Sequence, residues 1–176
     1  MEKVITISGG FDSGCLPFLF LKKIEEYDFL FFRYNQIYLD FELEKATLFS
    51  TEFGKKLIIV DCPLLQHDHS RRNFIFVSKL KELNYSEVVM GNRNIFPLWD
   101  HYRDSNWCYL KMVGFLFDIK VTLPLFGWSK GRVFSFLNYH GYDDFYNCYK
   151  NENDFRICDC HNCQEMRKLR DTCFLD

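Results

Sequence analysis

Two clusters of residues in this chain carry enough donor chemistry to suggest an activity. The first is Ser8-Gly9-Gly10-Phe11-Asp12-Ser13. Paired glycines let a backbone bend close to a ligand, and inward-turned N–H groups at a helix start, with the positive end of its dipole, make a seat for an anion. The Ser8 and Ser13 hydroxyls add donors, and Asp12 can orient water or magnesium. A pyrophosphate group suits this set. No Lys-Ser or Lys-Thr pair closes the segment as in a Walker loop, and its glycines do not follow the GxGxxG spacing of dinucleotide sites. The plainer alternative is a glycine turn with an Asp and Ser helix cap.

The second cluster is cysteine. Cys15, Cys62 and Cys108 are scattered, whereas Cys148, Cys158, Cys160 and Cys163 crowd together near the end of the chain. Such clustering favours a metal over disulfides. Four thiolates suffice for a closed tetrahedral zinc site, and metal binding would supply folding energy to a tail with few aliphatic residues. Iron-sulfur ligation and unligated thiols are the competing readings. His67, His69 and His101 are weaker metal candidates. His67 and His69, beside Arg71 and Arg72, read equally as nucleotide contacts or as an exposed polar loop. Arg167, Lys168 and Arg170 read as a solvated helix face.

Both clusters need elements to position them. Residues 3–8 (KVITIS) form a short, apolar, β-branched run, the pattern of a strand buried on both faces. Behind the glycines, Leu16, Leu19, Phe20 and Ile24 recur at helical spacing, predicting a helix over 13–26 with Pro17 in its first turn. Further strands are predicted at 28–34, 56–61 (KLIIVD), 87–90 and 119–123. Helices are predicted at 41–53, closed by Gly54, and at 73–83, 105–117, 129–139 and 164–172. Strands alternating with helices predict an α/β fold, a mostly parallel five-stranded sheet with helices on both faces. The two long irregular stretches, 62–72 and 92–104, follow strands and so fall at the carboxyl edge, where open α/β sheets bind ligands. Residues 1–141 form the expected main domain, and 142–176 a cysteine-rich, zinc-binding tail packed on it.

Composition narrows the classes. The chain has 176 residues, 48% of them hydrophobic and 26% charged, which is one globular domain rather than a disordered chain. A formal charge of -2 offers none of the positive field expected of a nucleic-acid coat. No stretch reaches the roughly 20 apolar residues of a membrane span, and apolar periodicity begins at Lys3 without a charged leader. A cytoplasmic location is expected.

Ser8-Gly9-Gly10-Phe11-Asp12-Ser13 resembles the PP-loop signature of ATP pyrophosphatases, whose fold is Rossmann-like. Later segments are similar to the QueC branch, the 7-cyano-7-deazaguanine synthases. Arg72-Asn73-Phe74-Ile75-Phe76-Val77-Ser78 resembles its RN-led helix start, and Tyr34-Asn35-Gln36 its Tyr-Gly-Gln turn. Val88-Val89-Met90-Gly91 looks like its strand before a glycine. Pro124-Leu125 with Trp128-Ser129-Lys130, and Asn147-Cys148-Tyr149, complete a series over residues 3–167. The departure is in the tail: the family ends with two successive CxxC steps, yet Ile157 stands three before Cys160. Cys158, or else His161, would complete the metal set. Asp100 and Asp104 fall where the family places substrate-side acids, without its usual Asp-Cys pair.

The resemblance implies an ATP-dependent carbon-nitrogen ligase that cleaves ATP between the α and β phosphates. It would adenylate the carboxylate of 7-carboxy-7-deazaguanine, amidate it with ammonia, and dehydrate the amide to the nitrile in a second activation. Ser8, Gly9, Gly10, Phe11, Asp12 and Ser13 would hold ATP and Mg2+; Asp12, Ser13, Arg72 and Lys130 would be catalytic; Cys148, Cys158, Cys160 and Cys163 would hold Zn2+. Arg72 can fork two donors to a carboxylate or phosphate, and Lys130 can neutralise departing pyrophosphate. A homodimer is implied. Two other readings stand beside this one: transfer of the activated acyl group to another acceptor such as a protein amine, as in antiviral systems, and a nucleotide- and zinc-binding protein without turnover. The chain is short for the family, with the loss near 62–72 and 92–104, so the amide is expected to form more robustly than the nitrile.

Overall fold

A computed structural model describes residues 2–36, 38–62, 71–93, 107–142, 163–164 and 167–169. Five strands, β1 (Glu2–Thr6), β2 (Tyr27–Arg33), β3 (Leu57–Asp61), β4 (Tyr85–Val89) and β5 (Lys120–Thr122), form a parallel sheet in the order β3-β2-β1-β4-β5. From β1 the chain winds outward through β2 and β3, then returns to the other side of β1 for β4 and β5. The β1 and β4 carboxyl ends therefore stand side by side while their connections leave in opposite directions, which opens a crevice at that edge.

Side chains alternate across a strand, and here both alternating sets are apolar. Ile5, Ile7, Phe29, Phe31 and Val89 pack on one face with Phe49, Leu125, Val133 and Leu137. Val4, Leu30, Phe32 and Val88 pack on the other with Phe76, Val77, Leu110 and Val113. Burying each large side chain contributes about 1.5–3 kcal/mol, so the sheet is held from both sides. The first face is covered by α1 (Phe11–Gly14), α2 (Leu16–Leu19), α3 (Leu39–Glu52) and α6 (Lys130–Tyr139), the second by α4 (Arg72–Glu82) and α5 (Trp107–Phe117).

Gly54 closes α3 as the pattern predicts. At φ +64° it turns the chain so that its N–H reaches the Thr51 carbonyl and that of Lys55 reaches Ser50. The first predicted helix is different. It breaks at Cys15 into α1 and α2, and continues as a 3-10 turn over Leu21–Glu26. Pro17 cannot donate to the carbonyl of Ser13, so it opens the second piece at its first turn instead of joining a continuous helix.

Of the tail, Tyr142, which packs against the first core, and 163–164 and 167–169, which are helical, are described. Cys163 is fully buried in the first core, and Leu169 packs beside Gly131 of α6. Among the described residues no helix is long and apolar enough to cross a membrane.

Candidate functional site

The 8–13 loop lies at the carboxyl end of β1, in the crevice beside β4. Gly9 has φ +69°, and a Cβ there would sit 2.2 Å from the carbonyl oxygen of Glu42 on α3. No side chain fits. The loop is braced from inside by its serines: Ser8 N–H donates to Ser13 Oγ at 3.0 Å, the two hydroxyls lie 2.9 Å apart, and Ser13 Oγ stands 2.9 Å from the Gly10 carbonyl. Ser13 is buried, and its single proton is spent within the loop, so its side chain sets the loop's shape. The early N–H groups of α1, which lack intrahelical partners, remain the natural anion donors. Phe11 stacks on Phe134 at 6.1 Å and anchors α1 against α6.

On the β4 side the loop is crowded with charge. Gly91, just beyond β4, presses so close that a Cβ would meet Ser13 N at 3.0 Å and the Asp12 carbonyl carbon at 3.1 Å. Two residues on, Arg93 Nε lies 2.5 Å from Asp12 Oδ1. Both atoms are buried, yet the approach is not aligned as a hydrogen bond. Burial pushes the Asp12 carboxyl above the usual carboxylate range, opposed first by Arg93 and then by Lys130. Lys130 is set there by the start of α6, where the Ser129 hydroxyl caps the helix by accepting from Arg132 N–H at 3.0 Å. Cys15, nearby, is no nucleophile: burial, reinforced by Asp12, pushes its thiol up to about 12.

On the β2 side the loop meets a hydrogen-bonded cluster. Gln36 folds back so that Oε1 accepts from Tyr34 N–H at 2.7 Å while Nε2 donates to the Phe32 carbonyl and the Glu42 carboxylate, each at 3.3 Å. Arg72, opening α4, donates to the Tyr34 hydroxyl at 3.3 Å and lies over that ring. Arg72 Nε is buried without a hydrogen-bond partner. Burial also raises the Glu42 carboxyl, opposed by Gln36 and then Arg72.

Asp12 and Lys130 therefore share one flank and Arg72 stands on the other. Arg93 and Glu42 are site residues that the sequence does not single out, and Gly91, legible there only as the glycine after a strand, proves to be a contact of the loop. A basic residue after a strand-ending glycine was the available signal for Arg93. Cys148, Cys158, Cys160, His67, His69, His101, Asp100, Asp104 and His161 lie outside the described residues. Among those described, no group of three or more His, Cys, Asp or Glu could hold a metal.

Sheet order and loop position define a class, a doubly wound Rossmann-like α/β protein with its glycine-serine loop at the switch point. No protein-family profile matches the chain. It is similar to 7-cyano-7-deazaguanine synthase 1 of Sulfurisphaera tokodaii, with 22% identity over 146 residues, covering 74% of this chain and 72% of that protein. This bears out the resemblance read from the residues. A crystal structure of a predicted subunit of tRNA methyltransferase from Methanocaldococcus jannaschii superposes with TM-score 0.50 at 14% identity, over 78% of this chain and 74% of that one, and supports the fold.

Proposed function

We propose that the protein is an ATP-dependent carbon-nitrogen ligase of the PP-loop kind, acting on 7-carboxy-7-deazaguanine with ammonia. Similarity to a 7-cyano-7-deazaguanine synthase supports an ATP-using enzyme. The observation that carries the reading is a loop at the switch point that admits no side chain at Gly9 and sets a half-buried carboxylate, Asp12, against Arg93 and within the field of Lys130. That arrangement suits a phosphate chain and its cation better than a structural turn, which has no need of a misaligned, half-buried ion pair.

In this reading the α1 N–H groups and Lys130 hold the phosphates, and Asp12 holds Mg2+, for which its buried Oδ1 is a fitting oxygen donor. Magnesium supplies neutralisation of phosphate charge. The substrate carboxylate attacks the α phosphorus, pyrophosphate leaves, and ammonia displaces AMP from the acyl carbon to give the amide. In a second round the amide oxygen is adenylated and departs with AMP, leaving the nitrile. Arg72, with Nε unpartnered, is the group on the β2 flank able to orient a carboxylate. Positioning and charge stabilisation are the protein's contribution.

Incubating the protein with 7-carboxy-7-deazaguanine, ATP, magnesium and ammonia, followed by mass spectrometry, tests this. Amide accumulating ahead of nitrile is expected; an unchanged substrate contradicts the reading. Zinc at Cys148, Cys158, Cys160 and Cys163 belongs to the same proposal, supported by the chemistry of four thiolates and by the burial of Cys163 against the α6 side. Metal analysis is expected to give one zinc per chain, and full retention after Cys160 and Cys163 are both replaced by Ser would contradict it.

A further inference from the structure

The loop has a shortage of positive charge. It lacks a Walker lysine, and α1 has only four residues, too short a stack of peptide dipoles to replace one. A triphosphate must therefore find its cations among side chains from elsewhere in the fold. Arg93 is the guanidinium already lodged in the loop, with Nε 2.5 Å from Asp12 Oδ1. Its backbone is held in place: Gly91 is wedged against Ser13 and Asp12, and the Arg93 carbonyl accepts from Gly127 N–H at 3.1 Å. Only its side chain has freedom to rearrange. A guanidinium bonds best when its planar fork faces two oxygens, yet here Nε approaches Asp12 Oδ1 out of hydrogen-bond alignment. Asp12 meanwhile spends on Arg93 the oxygen that a cation would need.

We infer that Arg93 is a phosphate-binding residue whose resting pair with Asp12 is exchanged on ligand entry, the guanidinium passing to a phosphate and the carboxylate to the cation. This rests on the ATP reading above and adds a residue to it. Arg93 in this role competes with the cation for Asp12 in the empty site and assists the anion in the filled one. Removing it must therefore shift the two affinities in opposite directions, which a merely structural arginine would not do.

The test uses the full chain and two variants, Arg93→Gln and Arg93→Lys, each checked for native circular dichroism. Calorimetry measures Mg2+ alone and inorganic pyrophosphate in the presence of Mg2+. For Arg93→Gln, Mg2+ alone is expected to bind severalfold tighter, and pyrophosphate about 10- to 100-fold weaker, the scale of one or two charge-assisted hydrogen bonds. Arg93→Lys keeps the charge without the fork and should fall between. If Arg93→Gln leaves pyrophosphate affinity unchanged, or weakens both ligands together, the inference is overturned while the ATP reading stands. Native protein that binds no pyrophosphate overturns both.

Discussion

The two flanks of the 8–13 loop are built on opposite principles. On the β2 side the Gln36 side chain makes three hydrogen bonds, and Glu42, Arg72 and Tyr34 close a network around the strand end. On the β4 side Asp12 and Arg93 are in close contact without alignment, and Lys130 adds its field. Satisfied polar networks fix geometry, whereas buried polar atoms of a close ion pair left out of hydrogen-bond alignment call for a functional explanation. The β2 flank therefore reads chiefly as the scaffold of the loop and the β4 flank as its working side. Arg72 Nε is the exception, a buried, unpartnered atom within the scaffold.

The sharpest way to break this contrast is at the two glycines. Gly9→Ala on the scaffold side adds a Cβ at 2.2 Å from a backbone oxygen and at positive φ, where a side chain alone costs about 1–2 kcal/mol. Nucleotide binding should be lost and thermal stability clearly lowered. Gly91→Ala on the working side meets backbone at 3.0–3.1 Å, with no positive φ. A shift of a few tenths of an ångström accommodates it, so we expect a folded protein of nearly native melting temperature whose nucleotide affinity falls about tenfold or less. Equal stability losses at the two sites would dissolve the contrast.

A smaller effect separates the flanks by pH. Burial raises the Glu42 carboxyl above its ordinary value, so the folded chain holds that proton more tightly than the unfolded one. Stability from this group is then lost as pH rises from the ordinary Glu range through the raised value. Glu42→Gln removes the ionisation. Its melting temperature relative to native protein should rise from about pH 4 toward neutrality, on a scale set by about 1.4 kcal/mol per unit of pKa shift. A gap that is flat or shrinks over that range would mean Glu42 is well paired after all.

How far these features were legible in the sequence follows from their range. The glycine-serine loop and the strand-helix alternation are local, carried by contiguous residue types, and both appear where the pattern puts them. Arg72 stands out by resemblance alone, while its Tyr34 and Glu42 neighbours come from β2 and α3 and depend on the folded sheet. Arg93 reaches Asp12 only because β4 pairs with β1, a contact the sheet order creates and no nearby spacing announces. Ser13 reads as a ligand donor in sequence, yet folding turns its hydroxyl inward to brace the loop. The continuous first helix fails because its apolar spacing is right while Pro17 removes a donor the helix needs.

In the proposed reaction a carboxylate oxygen of the substrate attacks the α phosphorus of ATP. Labelling both oxygens of the 7-carboxy-7-deazaguanine carboxylate with 18O and analysing the nucleotide product by mass spectrometry tests it directly. Adenylation carries one labelled oxygen into AMP in each activation, and pyrophosphate stays unlabelled. ADP as the nucleotide product, or AMP without label, would rule this step out.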